Sequence, residues 1–305
     1  MYMQKSLSIC LFIILLISSI GVNAQSIDNN LPAEAAILVE AETGKILYEQ
    51  NSDQKLPPAS ITKIMTLLIT MEKVNSKDLS LNDKVYVSKH AESMGGSQIF
   101  LKADTEIKLK DLLKAIIISS ANDACVAVAE WVSGSYSKFI DLMNKKASEL
   151  GMKNTHFVNT TGLPERTNNH YTTARDISIM ARELIKYDKI LNWSSIWMEY
   201  LKLPGRKAML CNTNRLVNKY PGMDGLKTGF TNKAGFCLVA TAKRGNMRLI
   251  SVILGADNKR NRKNSTTKLL DYGFKNYQKQ VLRKKGEQIK NIKIAAGKKQ
   301  TTTGE

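Results

Sequence analysis

Apolar residues along the chain recur with two periods, and their order sketches a fold. The run AAILVEAETGKILYEQN predicts two short strands around Glu42-Thr43-Gly44, with Gly44 suited to the turn. Over residues 60–74, Ile61, Ile64, Met65, Leu68 and Met71 return at helical spacing, and Pro57 and Pro58 exclude a helix just upstream. Ser60 is therefore expected in the first turn of that helix. Two more helices are predicted over 109–118 and 124–131, separated by the polar break Ser119-Ser120-Ala121-Asn122-Asp123, and another over 176–187. LKTGFTN, AGFCLVATAKR and MRLISVILGAD then read as strands, the last two joined by a hairpin turn at Arg244-Gly245-Asn246, and 265–277 reads as a closing helix. Strands at both ends with helices between them predict an α+β fold in which the N-terminal hairpin joins a C-terminal antiparallel sheet. No internal repeat is present.

The composition adds an address and a charge. With 43% hydrophobic and 24% charged residues in 305, the chain is neither disordered nor a polytopic membrane protein. Residues 7–22 are almost continuously apolar, follow a single Lys5, and end at Val22-Asn23-Ala24, the plan of a cleaved secretory signal over residues 1–24. An uncleaved anchor fits less well, because the run is short and broken by Ser18 and Ser19. The protein is thus expected to be exported and to work outside the cytoplasm. Cys125, Cys211 and Cys237 remain after Cys10 departs, an odd number without CxxC spacing that indicates neither a disulfide framework nor a zinc site. The net charge of +18 is uneven: residues 259–305 carry fourteen Lys or Arg against three acids, a net +11. Few aromatics interleave them, which argues against nucleic acid and for a solvated tail facing anionic lipid or wall polymer.

Several familiar catalytic constellations are missing. His90, His156 and His170 show no paired-ligand spacing, and neither a GxSxG elbow nor a GxxxxGK[ST] loop occurs. Ser60-Ile61-Thr62-Lys63 offers another nucleophile and base, since positions i and i+3 share a helix face. The string alone is weak, because S-x-x-K also begins at Ser52, Ser135 and Ser265. Company distinguishes Ser60: Ser120-Ala121-Asn122 lies in a break between apolar helices, and the single Lys227-Thr228-Gly229 lies in a predicted strand after Asp224-Gly225.

S-x-x-K, then S-x-N, then K-T-G is the fingerprint of penicillin-recognising serine acyl-enzymes. The segments PASITKIMT, SSANDACVAVAE, HFVNTTGLP with HYTTARD, and DGLKTGFTNKAGFCLVATA resemble, in order, those of low-molecular-weight penicillin-binding proteins, the serine D-alanyl-D-alanine carboxypeptidases. The resemblance spans residues 33–277. It implies a β-lactamase/transpeptidase-like α+β fold, an antiparallel sheet flanked by helices with a mostly helical subdomain, as a catalytic domain over 25–277. The tail, 278–305, would then begin a β-rich domain.

The resemblance also implies roles. Ser60 would attack the penultimate D-Ala carbonyl, with Lys63 as its base, lowered in pKa by desolvation and by a second cation for which Lys227 is the candidate. Ser120 would carry the proton to the leaving amine, Asn122 would hold the substrate's amide, and Lys227, Thr228 and Gly229 would hold its terminal carboxylate end. Backbone N–H groups of Ser60 and Phe230 would form the oxyanion hole. Peptidoglycan stem peptides would be the substrates, β-lactams the covalent inhibitors, and no metal or other cofactor is called for. His170 and Asp176 match structural positions, while Cys125 is expected as a buried small residue whose thiol would confer sensitivity to bulky thiol reagents. Ala121 stands where Gly or Asp is commoner in the family. A β-lactamase of the same fold is the nearest rival, but no E-x-x-L-N string supplies its deacylating carboxylate. A non-catalytic binder of stem peptides or β-lactams, and an adhesin acting through the tail, would leave the intact motifs without purpose.

Overall fold

The computed structural model describes residues 30–164 and 169–280, together with the backbone of 291–293 and 301–303. The expected signal at 1–24 lies outside the described residues, as does most of the basic tail, whose two described segments pair antiparallel, Asn291–Lys293 with Thr301–Thr303.

The chain opens with the expected hairpin, β1 (Ala35–Glu40) and β2 (Ile46–Gln50), turning through Gly44 at φ +74°. A single 3-10 turn, Ala59–Thr62, leads into α1 (Lys63–Asn75). A small hairpin follows, β3 (Lys84–Tyr86) and β4 (Glu106–Lys108), enclosing the short α2 (Lys89–Glu92). Then come α3 (Leu109–Ser119), α4 (Asn122–Ser133), α5 (Tyr136–Glu149), α6 (Ala174–Leu184) and α7 (Asp188–Ser194). The hairpin β5 (Met198–Leu203) and β6 (Arg206–Cys211) precedes β7 (Met223–Thr231), β8 (Gly235–Arg244) and β9 (Met247–Ala256), and α8 (Lys259–Asn276) follows.

One antiparallel sheet of order β2-β1-β9-β8-β7 organises these elements, and the N-terminal hairpin joins it as expected, with Ile37 opposite Val252. Both faces of β1 are covered, so AAILVE carries almost no polar alternation and all six residues are buried. Successive side chains still point to opposite faces. Ala35, Ile37 and Val39 enter the core shared with α1, α3, α4 and α6, whereas Ala36 and Leu38 meet Leu249, Leu269 and Leu270 beneath α8. At roughly 1.5–3 kcal/mol for each fully buried aliphatic side chain, this short strand alone supplies a sizeable share of the hydrophobic stabilisation.

Helix α1 runs through the middle of the helical subdomain, with every residue from Lys63 to Met71 buried. A helix buried all round must be apolar on all sides or have its polar groups satisfied within the protein. Thr66 and Thr70 meet that condition by bonding the carbonyls of Thr160 and Thr66. Lys63 meets it at the active site described below.

Three local differences from the expected elements have physical reasons. Helix α5 carries a narrow apolar stripe, with only Phe139, Met143 and Ala147 buried in YSKFIDLMNKKASE, which is too thin to stand out in sequence. Helix α8 begins at Lys259 rather than at 265, because Asn258 caps a first turn (KRNRKN) that lacks apolar periodicity, its side chain accepting from Asn261 N–H. The break between α3 and α4 is shorter than the five polar residues suggested: Asn122 and Asp123 are already helical, and only Ser120 and Ala121 interrupt. No helix among the described residues is long and apolar enough to cross a membrane.

Candidate active site

Pro58 caps the 3-10 turn with helical dihedrals (φ −78°, ψ −14°), and Ala59 enters the turn at φ +47°. Ser60 therefore stands in that turn, one step before the α-helix in which it was expected, and Lys63 is the first residue of α1. The i, i+3 relation still brings the two together: Lys63 Nζ lies 2.8 Å from Ser60 Oγ and donates also to the carbonyl of Thr161 at 2.9 Å. Lys63 is fully buried, and burial lowers its pKa from the ordinary 10.5 to about 8, against weaker opposite pulls from Cys125 and Asp123. Lys227, expected as the cation that would lower it, is itself held well below the usual lysine value, by burial first and by Lys63 second.

The carbonyl that receives Lys63 belongs to a tight turn. Asn159 Oδ1 accepts from the N–H groups of Thr161 (3.1 Å) and Gly162 (2.7 Å), and its Nδ2 donates to Leu163 O. Gly162, at φ +76°, lies so close to the Ser60 turn that a Cβ there would sit 1.7 Å from Ala59 O. From the other side, Val158 N–H donates to His170 Nδ1 (3.1 Å), which leaves the proton on Nε2, 2.8 Å from Thr62 Oγ1; Thr62 Oγ1 in turn donates to Ala59 O. Burial, with a smaller contribution from His156, lowers the His170 pKa to about 4, so this chain holds a neutral ring. His170 orients the serine turn and stands away from the cavity. Asp176 caps a different corner, accepting from Asn154 N–H and Thr155 Oγ1.

Ser120 adopts the left-handed conformation (φ 63°, ψ 30°) between α3 and α4. That geometry costs a non-glycine residue about 1–2 kcal/mol and is tolerated where the surroundings fix it. Here the residues that follow are fixed firmly. Asn122 N–H donates to Ser97 O (2.7 Å) and its Nδ2 to Gly95 O (2.7 Å), while the Asp123 carboxylate collects the N–H groups of Ile99, Leu101 and Ala124. Arg206, at the tip of the β5–β6 hairpin, grips the same loop from outside through the carbonyls of Ile99 and Phe100. Asn122 Oδ1 is buried without a partner.

These elements enclose a cavity of about 470 Å³, with Ser60, Ser120, Thr213, Thr228 and Arg262 on its wall and no carboxylate among its described lining residues. Thr228 Oγ1 bonds Thr213 Oγ1 at 2.7 Å. Gly229 brings β7 against the serine turn: a Cβ there would lie 3.0 Å from Pro58 O and 3.2 Å from Ser60 N. Phe230, half exposed at the rim, stacks on Phe236 with ring centroids 4.3 Å apart.

Of the residues singled out in the sequence, Ser60, Ser120, Thr228, Gly229 and Phe230 line this cavity. Lys63, Asn122 and Lys227 stand behind its wall, Lys227 Nζ donating to Thr228 O at 2.9 Å. Cys125 is also behind it, fully buried, with Sγ donating to Thr160 O, and burial pushes its thiol pKa up, so the expected sensitivity to bulky thiol reagents has no route of access here. Sequence reasoning missed the Thr161 carbonyl, Thr213, Arg262 and the Arg206 grip. The Asn159-Thr160-Thr161-Gly162 string was a visible signal for the first, since Asn and Gly in that spacing favour a side-chain-bonded turn.

A half-buried serine hydroxyl on the wall of a cavity lined by hydroxyls and cations, bonded to a fully buried lysine of lowered pKa, is an arrangement that can supply a nucleophile with a neighbouring amine to accept its proton. The chain belongs to the D-alanyl-D-alanine carboxypeptidase family, whose pattern residues 22–258 match. It is 48% identical over 267 residues to the D-alanyl-D-alanine carboxypeptidase DacF of Bacillus subtilis, covering 87% of this chain and 68% of that protein. It is 40% identical to the Escherichia coli carboxypeptidase DacC, of whose length it spans 63%. Among solved structures it resembles penicillin binding protein 5 from Haemophilus influenzae (TM-score 0.82, 32% identity, covering 90% of this chain and 80% of that one). It also resembles penicillin-binding protein D2 from Listeria monocytogenes in its ampicillin-bound form (TM-score 0.72, 33% identity, 80% and 98% covered). These neighbours share the antiparallel sheet with flanking helices expected from the motifs.

Proposed function

We propose that the protein removes the terminal D-alanine from peptidoglycan pentapeptide stems through an acyl-enzyme on Ser60, and that β-lactams acylate the same serine. The observation that carries this reading is the 2.8 Å contact between Ser60 Oγ and the buried Lys63 Nζ, at the floor of a cavity whose wall offers hydroxyls and a cation to a carboxylate. Neutral Lys63 takes the Ser60 proton as Oγ attacks the penultimate D-Ala carbonyl. The oxyanion is met by the N–H groups of Ser60 and Phe230, which the close approach at Gly229 favours. Ser120, whose Oγ has no partner among the described residues, passes its proton to the departing D-alanine amine as the C–N bond breaks and takes the proton held by Lys63 in exchange, which restores neutral Lys63. Water then attacks the ester, again with Lys63 as base.

Thr228, with Thr213 and Arg262, would bind the free C-terminal carboxylate, with Lys227 supporting Thr228 from behind and Asn122 anchoring the opposite wall. A substrate lacking that carboxylate would leave the buried Arg262 uncompensated, which explains a preference for chain ends. The leader at 1–24 supports export, and the basic tail suits contact with an anionic lipid or wall polymer.

The pH dependence follows from Lys63. Its neutral, base-competent form becomes populated as pH rises through about 8, so the second-order acylation constant is expected to climb about ten-fold per pH unit below that value and to level off above it. A profile flat from pH 6 to 9 would remove Lys63 as the base.

Intact mass after incubation with benzylpenicillin, run beside a D-alanine release assay on diacetyl-L-Lys-D-Ala-D-Ala, tests the whole reading. A persistent penicilloyl adduct together with D-alanine release is expected. Rapid penicillin turnover without D-alanine release would indicate a β-lactamase, against which the absence of a carboxylate among the described lining residues already argues. No adduct and no release would indicate an idle binder.

A further inference from the structure

Three cations border the catalytic cavity, Arg215, Lys259 and Arg262, and none of them has a carboxylate partner among the described residues. The arrangement contrasts with Arg175 and Arg248, each of which meets carboxylates at 2.6–2.8 Å. Arg262 is nine-tenths buried, its Nε has no hydrogen-bond partner, and its Nη1 reaches Cys237 O only at 3.5 Å. A buried guanidinium so poorly satisfied is built for an anion, and the terminal carboxylate of the substrate supplies one. That leaves Arg215 and Lys259.

Both are exposed residues, and each is set in place by its segment of the chain. Arg215 lies between two buried anchors: Asn214 donates to Gly225 O, and Asn214 Oδ1 accepts from Leu216 N–H, while the Arg215 guanidinium lies 5.1 Å from the Trp197 ring centroid. Lys259 opens α8, one helical turn before Arg262, where the positive end of an 18-residue helix adds to its field. The two come from separate segments of the chain and border one cavity. Its volume of about 470 Å³ falls in the range that encloses drug-sized ligands, ~300–1,000 Å³, and leaves room beyond a terminal D-Ala-D-Ala.

We propose that Arg215 and Lys259 form a second anionic subsite, which selects stem peptides carrying a free carboxylate on the residue upstream of D-Ala-D-Ala. The inference rests on the carboxypeptidase reading and adds to it a charge requirement. Two solvent-facing ion pairs of this kind are each worth about 0.2–1 kcal/mol, so their joint effect on KM is roughly ten-fold, with kcat little changed. The discrimination fades with salt, because the Debye length shrinks from about 10 Å at 0.1 M to about 3 Å at 1 M.

The test uses two near-isosteric peptides, acetyl-L-glutamyl-D-Ala-D-Ala and acetyl-L-glutaminyl-D-Ala-D-Ala, with D-alanine release measured at 50 mM and 1 M salt. The wild-type protein is expected to turn over the glutamyl peptide with a KM about ten-fold lower at low salt. In the double variant Arg215→Gln, Lys259→Gln, that difference is expected to collapse to within two-fold, with the glutaminyl KM and the melting temperature unchanged. Equal KM values in the wild type, or a preference that survives in the double variant, would overturn the subsite while leaving the carboxypeptidase intact. Failure to release D-alanine from either peptide would overturn both.

Discussion

Ser60→Ala is expected to yield no penicilloyl adduct at any incubation time, and Lys63→Met to lower the acylation rate constant by about 10²–10⁴-fold, the range a positioned general base contributes. Methionine is chosen because it fills most of the lysine's volume. Lys63 is fully buried in α1, and truncation to alanine would add a cavity to the loss of the base. The serine would remain in its turn, since Thr62, Ala59 and His170 hold that turn without help from Lys63. Burst amplitude with a chromogenic cephalosporin, followed by intact mass, separates the two variants: no adduct for the first, slow but complete labelling for the second. Acylation of Lys63→Met within ten-fold of the wild type would mean that another group takes the proton.

The second large effect is expected at a residue with no chemistry of its own. Gly162→Ala places a methyl group 1.7 Å from Ala59 O and 2.8 Å from Thr62 Oγ1, at a φ of +76° where a side chain is already strained. Backbone cannot yield as a side-chain tip can, so the Ser60 turn and the Asn159 turn must move apart. The cost is on the order of 3–5 kcal/mol, at the diagnostic end for single substitutions, or roughly a 10 °C fall in melting temperature for a domain of this size. Acylation should fall with it, because separating the turns takes the Thr161 carbonyl from Lys63. Thermal unfolding by circular dichroism beside penicillin labelling checks both; a melting temperature within 2 °C of the wild type would contradict the close approach.

These two residues also mark what the sequence could and could not disclose. Ser60 and Lys63 were legible because a hydroxyl and an amine three residues apart, followed by S-x-N and K-T-G, form a pattern of side chains. The strands were legible because their apolar runs are short, β-branched and bounded by turns, as in MRLISVILGAD. The partner that fixes Lys63 is a backbone carbonyl, which has no signature in sequence, and Gly162 shows its purpose only once Ala59 is seen against it. Arg262 belongs to a polar first helical turn that gives no periodic signal, and it becomes a site residue only when α8 docks beside β8. Desolvation, expected for Lys63 from the outset, is the largest cause of its lowered pKa, whereas the second cation invoked beside it, Lys227, is not among the causes, because it is buried and held well below the usual lysine value itself.

Among the described residues, the strand order β2-β1-β9-β8-β7 leaves the Lys227-Thr228-Gly229 strand as the outermost of the sheet. An outermost strand carries a row of backbone N–H and C=O groups without a neighbouring strand, which most proteins must shield against sticking to other chains. Beside Ser60 that row becomes an opening for β-augmentation: an extended stem peptide can lie down as a temporary sixth strand. Main-chain pairing of this kind is indifferent to most side chains, so it fixes the direction and depth of the peptide and leaves discrimination to groups at its ends.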